Sequence, residues 1–199
     1  LMAVLPDAAD EYKQRYGVKN FLKGLTGGVE LHLAEVFEPT CTICGLTSGY
    51  QGPGSKTVLP ARASAKVDFR LVPDQRPERV LELLRRHLDA EGFSDVQITD
   101  LGGEPPARTD PDDPFVDLIV RTAEPVYGAP MQLVPMVGGS GPNYPFVHTL
   151  KLPVVTAGAG YPGTLAHAPN ENIRLDLYLK HAKHMARFFK ELGNQGSSK

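Results

Sequence analysis

His167 stands in GYPGTLAHAPNE (residues 160–171), a loop rich in turn formers between an apolar run, PVVTAG, and a long amphipathic one. Imidazole titrates near neutral pH and binds metals, so a histidine in such a loop is equipped for proton transfer or metal ligation. Open α/β sheets place their sites in loops that leave the carboxyl ends of buried strands. The alternative here is a turn histidine bonded to backbone. A second candidate is VGGSGPN (137–143), where consecutive glycines let backbone N–H groups converge on an anion and Ser140 adds a hydroxyl. It lacks the spacing of a GxGxxG or Walker loop, and a tight strand-to-helix turn would use the same residues. Arg70, in DFRLVP, carries a fork suited to a carboxylate, or it pairs with Asp68 or Asp74 on the surface.

Other groups are weaker. His181 and His184 are three apart in YLKHAKHMARFF and would be neighbours on a helix. The lysines at 180 and 183 point instead to a solvated face, and no third ligand is evident. Cys41 and Cys44 fit a C-x-x-C pattern, but PTCTICGLTSGY reads as a strand, which sends them to opposite faces. Two small buried residues are the expectation there. GPGSK (52–56) reads as a mobile hairpin loop. The sequence has no H-x-D, H-E-x-x-H, adjacent Glu-Glu or G-x-S-x-G. A hydrolytic metal site needs about three or four ligands and usually a carboxylate base, and that set cannot be assembled.

These residues need elements to hold them. PDAADEYKQRYG and VELHLAEVF predict short helices, with Asp7 as cap and Gly17 as stop. PTCTICGLTSGY is rich in β-formers. ARASAKVDFRLVP alternates Ala63, Ala65, Val67, Phe69 and Leu71 against polar residues, the pattern of a half-buried strand. Residues 77–91 predict a helix on Val80, Leu81, Leu84 and Leu88, opened by Pro77 and closed by Gly92. VQITDLGG predicts one more strand. The Pro- and Asp-rich EPPARTDPDDP marks a domain boundary. Beyond it come a helix (DPFVDLIVRTAEPVYG), a strand (MQLVPMV), the glycine turn, a buried strand (PVVTAG) and a final helix. Asn170 or Asn172 is the expected cap of that helix, with Ile173, Leu177, Met185, Phe188 and Leu192 facing inward. Both the α+β and the α/β part look half-complete.

The chain has 199 residues, 41% hydrophobic and 22% charged, with a net charge of −2. That is globular composition without the basic footprint of a nucleic-acid or anionic-membrane binder. No apolar run is long enough to span a bilayer. Two cysteines and no disulfide framework fit a reducing compartment, so the expected location is cytoplasmic. The first residue is Leu1, which fits a processed chain or a piece of a longer one.

Three stretches taken together resemble the M20 family of zinc-dependent peptidases and amidohydrolases, especially its dipeptidase-like branch. They are PTCTICGLTSGYQGPGSKTVLPARASAKVDFRLVPDQRPERVLELL (39–84), GGSGP (138–142) and AHAPNENIRL (166–175), in the family's order. The resemblance implies an α/β catalytic domain interrupted by a ferredoxin-like β-α-β-β-α-β lid that commonly dimerises. Residues 1–38 would then be a helical lead-in, 39–108 the second half of the lid, and 109–199 the C-terminal part of the catalytic domain. His167 matches the family's last metal ligand. Arg70 matches the lid arginine that holds the substrate carboxylate, and Gly139 with Ser140 matches the loop that helps. The implied cofactor is zinc, two per site, or manganese. The implied substrate is a small peptide or N-acyl amino acid, and the implied partner a second copy through the lid. The family's other ligands and its glutamate base precede the lid, so this chain alone is expected to be inactive. One departure is Thr57 in KTVLP, where many relatives carry Asn. The competing expectation is a non-catalytic dimerisation or anion-binding module.

Overall fold

A computed structural model describes residues 2–196 as two compact units. One comprises Leu1–Leu5, Ala107–Pro135 and Pro145–Lys199. The other comprises Pro6–Pro106 and Met136–Tyr144.

In the second unit, α1 (Ala9–Tyr16) ends at Gly17, whose φ of 65° supplies the left-handed cap that the sequence predicts. Asp7 accepts the Ala9 N–H at 3.0 Å, one residue outside the cap position, which Ala8 occupies. Backbone N–H groups of Gly28 and Ala9 hold the Asp7 carboxyl below its ordinary pKa. Helix α2 (Gly28–Phe37) buries Leu31, His32 and Val36. His32 Nε2 lies 2.9 Å from the Pro6 carbonyl, so that nitrogen carries the proton and ties α2 to the chain before α1. Tyr12 donates to Glu35 at 2.8 Å, and burial with this carboxylate pushes its pKa up to about 12.

Strands β1 (Thr40–Ser48) and β2 (Ala63–Arg70) form an antiparallel ribbon, the one ladder among the described residues. The register pairs Thr40 with Arg70 and Ser48 with Ala63, and a bulge at Cys44 separates Ile43 from Gly45. An extra residue shifts the alternation by one. It therefore brings Leu46 onto the same face as Ile43, with Ala63, Ala65, Val67 and Phe69 across the ladder. The opposite face carries Thr40, Thr42, Thr47, Ser64, Lys66, Asp68 and Arg70. The predicted alternation is present, yet the burial expected with it is not: Ile43 is 65%, Leu46 71% and Val67 40% exposed. Cys41 and Cys44 are likewise exposed rather than buried. A sheet face buries only what a second layer covers. Helix α3 (Pro77–Ala90) matches its predicted span, with Pro77 in its first turn. Arg85 locks the turn beyond it, donating to the carbonyls of Val96 at 2.6 Å and Phe93 at 2.9 Å while pairing with Asp89 at 2.8 Å.

In the first unit, α4 (Pro114–Tyr127) packs on α5 (Leu175–Gly196). Asp113 caps α4 by accepting from Phe115 N at 2.8 Å, Pro114 opens it, and Gly128 closes it in the left-handed region. Leu118, Ile119 and Phe188 form the core, with Phe115, Val155 and Ala157 against it. Phe115 meets Phe188 edge-on at 5.6 Å. PVVTAG is thus partly inward-facing as expected, and Thr109 Oγ1 clips it, donating to Val154 O and accepting from Val154 N at 2.7 Å. Neither this segment, nor MQLVPMV, nor VQITDLGG forms a ladder among the described residues. Strand propensity belongs to a segment, whereas a ladder needs a partner edge.

Candidate functional site

The structure brings Arg70 and Ser140 together. Arg70 sits at the end of β2 on the polar face of the ribbon, and its Nη1 donates to Ser140 Oγ at 2.8 Å. Its Nε pairs with Asp68 Oδ2 at 2.8 Å, one of the two surface partners foreseen for it. Ser140 accepts from the guanidinium, which leaves its own proton available to donate. The result is a cluster of donors around Nη2 and a hydroxyl, suited to a carboxylate. Gly139, next in the chain, is open: an added Cβ would meet nothing within 4 Å. Packing therefore does not demand glycine there, and what the position offers is backbone accessible to a ligand.

His167 lies in the other unit, exposed, on a loop of unusual backbone. Leu165, His167 and Asn170 all have positive φ, at 52°, 61° and 63°. Each costs of order 1 kcal/mol for a side chain with a Cβ. Asn172 holds the loop in this form. Its Nδ2 donates to Gly163 O and Asn170 O, both at 3.1 Å, and its N–H donates to Thr164 O at 3.0 Å. Tyr161 Oη donates to its Oδ1 and Thr164 Oγ1 to its carbonyl. Arg174 lies over the Tyr161 ring and forks onto Asp176 at 2.8 and 3.1 Å, which lowers the Asp176 pKa. Asn172 is thus a loop staple and not the cap of α5, which starts at Leu175. Asn is suited to this because one side chain accepts and donates to backbone in turns.

His184 corrects another expectation. It is 2% exposed, not on a solvated or metal-binding face. Its Nε2 lies 3.1 Å from Ile119 O and 3.3 Å from Thr122 Oγ1, while Thr122 itself donates to Leu118 O at 2.7 Å. A carbonyl only accepts, so Nε2 carries the proton. Burial lowers the His184 pKa, opposed by the bond to Ile119 and aided by His181. Leu177, His181, His184 and Phe188 follow helical spacing of four, three and four, and they line the inner seam of α5. Ile173 and Leu192, expected inside, are 53% and 39% exposed. The adjoining lysines hid this seam, because Lys180 and Lys183 border it without occupying it.

Residues 5–191 match peptidase family M20/M25/M40. The chain belongs to this family. It is 27% identical over 197 residues to the Beta-Ala-His dipeptidase of Mus musculus, covering 94% of this chain and 39% of that protein. It is 28% identical over 162 residues to the Cys-Gly metallodipeptidase dug1 of Schizosaccharomyces pombe, covering 78% and 34%. Among solved structures, an M20 family metallo-carboxypeptidase from Sulfolobus solfataricus superposes with a TM-score of 0.81. It is 40% identical, with 92% of this chain and 41% of that one covered. The di-peptidase Dug1p of Saccharomyces cerevisiae shares the fold at a TM-score of 0.79 and 23% identity. The mixed helix-and-sheet architecture is therefore that of part of an M20 peptidase, and the chain spans about a third to two fifths of these relatives' length.

The M20 family implies a metal cofactor. Among the described residues no group of three or more His, Cys, Asp or Glu is placed to hold a metal ion. His167 is one imidazole, so the residues present do not by themselves make a metal centre, and no step of the chemistry is derived through one. No helix among the described residues is long and apolar enough to cross a membrane.

Proposed function

We propose that the protein containing this chain hydrolyses the peptide or amide bond of dipeptides or N-acylated amino acids. In this reading residues 39–108 belong to the lid and 109–199 to the catalytic domain. Arg70, Ser140 and the Gly139 backbone bind the substrate's carboxylate, and His167 is one ligand of a zinc or manganese site whose other members this chain does not supply. The observation that carries the proposal is the 2.8 Å contact between Arg70 and Ser140, two donors that come from separate motifs 70 residues apart. A guanidinium and a hydroxyl joined this way prefer an anion with two acceptor oxygens. The names of the relatives, two dipeptidases and a carboxypeptidase, agree with a substrate that ends in a free carboxylate.

We place the enzyme in the cytoplasm, in keeping with its two free thiols. Self-association through the ribbon's apolar face is part of the same proposal, supported by the exposure of Ile43 and Leu46.

The test is an assay against a dipeptide panel with added zinc or manganese. The complete gene product should turn over substrate, and His167→Ala should lower that turnover by about 100-fold or more, since even residues behind a ligand cost 10- to 100-fold. The 199-residue chain alone should show none. Turnover by the chain alone, well above a metal-only blank, overturns the assignment of missing ligands. An inactive complete product overturns the hydrolytic reading.

A further inference from the structure

We propose that Asp68 is a positioning residue for carboxylate recognition, acting through Arg70. This rests on the reading of Arg70 and Ser140 as carboxylate ligands and adds what orders them. Asp68 and Arg70 are two apart on one strand, hence on one face, with Nε and Oδ2 at 2.8 Å. Both side chains are 46% exposed, so packing does little to fix the guanidinium. Its anchors are Asp68 at Nε and Ser140 at Nη1. Ser140 alone is one neutral hydroxyl at the tip of a long, rotamer-rich chain. With Asp68 in place, the plane of the guanidinium is held at two of its three nitrogens, and Nη2 remains for a ligand. Asp68 is thereby a pre-organising contact, which saves the ordering cost otherwise met on binding.

The charge of Asp68 works in the opposite direction. A carboxylate beside Arg70 weakens the field that attracts a second carboxylate. The two effects separate by substitution. Asp68→Asn retains an oxygen acceptor for Nε–H and removes the charge. Asp68→Ala removes both. Positioning therefore predicts that the alanine variant binds carboxylate more weakly, although it leaves Arg70 with a stronger field. The asparagine variant should bind as the parent does, or more tightly.

The experiment is NMR of the 199-residue chain with 15N-labelled arginine, titrated with N-acetylglycine and, as the uncharged control, N-acetylglycinamide. The Arg70 Nε–Hε signal should move with the acid and not with the amide. Asp68→Ala should raise the dissociation constant about three- to tenfold, the cost of immobilising one long side chain, and should speed exchange of the Arg70 Nε proton. Asp68→Asn should restore both to parental values or beyond. An Asp68→Ala chain that binds N-acetylglycine as tightly as the parent overturns the role of Asp68 and leaves that of Arg70 standing. A parent chain that ignores N-acetylglycine overturns the carboxylate reading itself, and this inference with it.

Discussion

The binding role proposed for Arg70 and Gly139 is separable from any role in folding. Arg70 ends an exposed strand, and its partners are an exposed aspartate and a serine. Its replacement by alanine should therefore leave the fold in place. A hydrogen bond to a charged group contributes about 1.5–3 kcal/mol, so Arg70→Ala should lower kcat/KM of the complete enzyme by about 10- to 100-fold for a dipeptide. The loss should be much smaller for the corresponding dipeptide amide. An equal loss for both substrates contradicts carboxylate recognition. Gly139 gives the converse case. With open space where a Cβ would stand and no positive φ, Gly139→Ala should leave the melting temperature within about 2 °C of the parent. Any fall in substrate affinity then reports crowding of the ligand and not damage to the loop.

At the scale of elements, two polar devices set the local structure of the C-terminal unit. The first is the Asn172 staple. Asn172→Ala removes three side-chain hydrogen bonds from a loop that holds three left-handed residues, while Tyr161→Phe removes only one hydroxyl. The amides of Thr164, Ala168 and Asn172, bonded in the native loop, should exchange at least about tenfold faster in Asn172→Ala, and less so in Tyr161→Phe. Unchanged exchange in the alanine variant would mean that other contacts impose the loop. The second device is His184, buried between α4 and α5 in its neutral form. Its folded pKa lies below the ordinary value of 6.5, so the unfolded chain takes up its proton first as pH falls. Its stabilising contribution is complete above pH 6.5 and declines from there toward the folded pKa. Asp7 and Asp176, with lowered pKa values, lose theirs only in the more acid carboxylate range. Thermal unfolding at pH 7.5 and 5.5 should show a drop that Asn or Gln at position 184 reduces. An identical drop in His184→Gln assigns the pH effect elsewhere.

At the scale of the whole molecule the governing feature is exposed apolar surface. Among the described residues, large apolar side chains such as Leu22, Leu46, Leu59 and Leu101 are exposed. Among the described residues nine apolar residues are buried, so each carries a large share of the stability. Leu118, 2% exposed at the contact of α4 with α5, should cost about 3 kcal/mol when changed to alanine, measured by urea unfolding. The exposed ribbon face belongs to the same imbalance. Sedimentation should show concentration-dependent association that Leu46→Lys weakens. A strict monomer at high concentration counts against a second copy as the cover.

The sequence by itself determined the helices, their proline openings and glycine stops, and the order of three motifs that place the chain in the M20 family. These depend on residue type at short spacing, where backbone sterics and helical period act directly. It offered Asp68 or Asp74 as the surface partner of Arg70, and the structure pairs it with Asp68, its neighbour on the same strand face. Tertiary structure decided the rest. The Cys44 bulge, which puts Ile43 and Leu46 on one face, depends on the opposite strand. That His184 is a core residue depends on which side of α5 meets α4, and the flanking lysines concealed it. The meeting of Arg70 with Ser140 joins segments whose separation in sequence carries no distance information. Strand-like segments without a partner edge stayed unladdered for the same reason: propensity is local, whereas pairing and burial are properties of what folds against them.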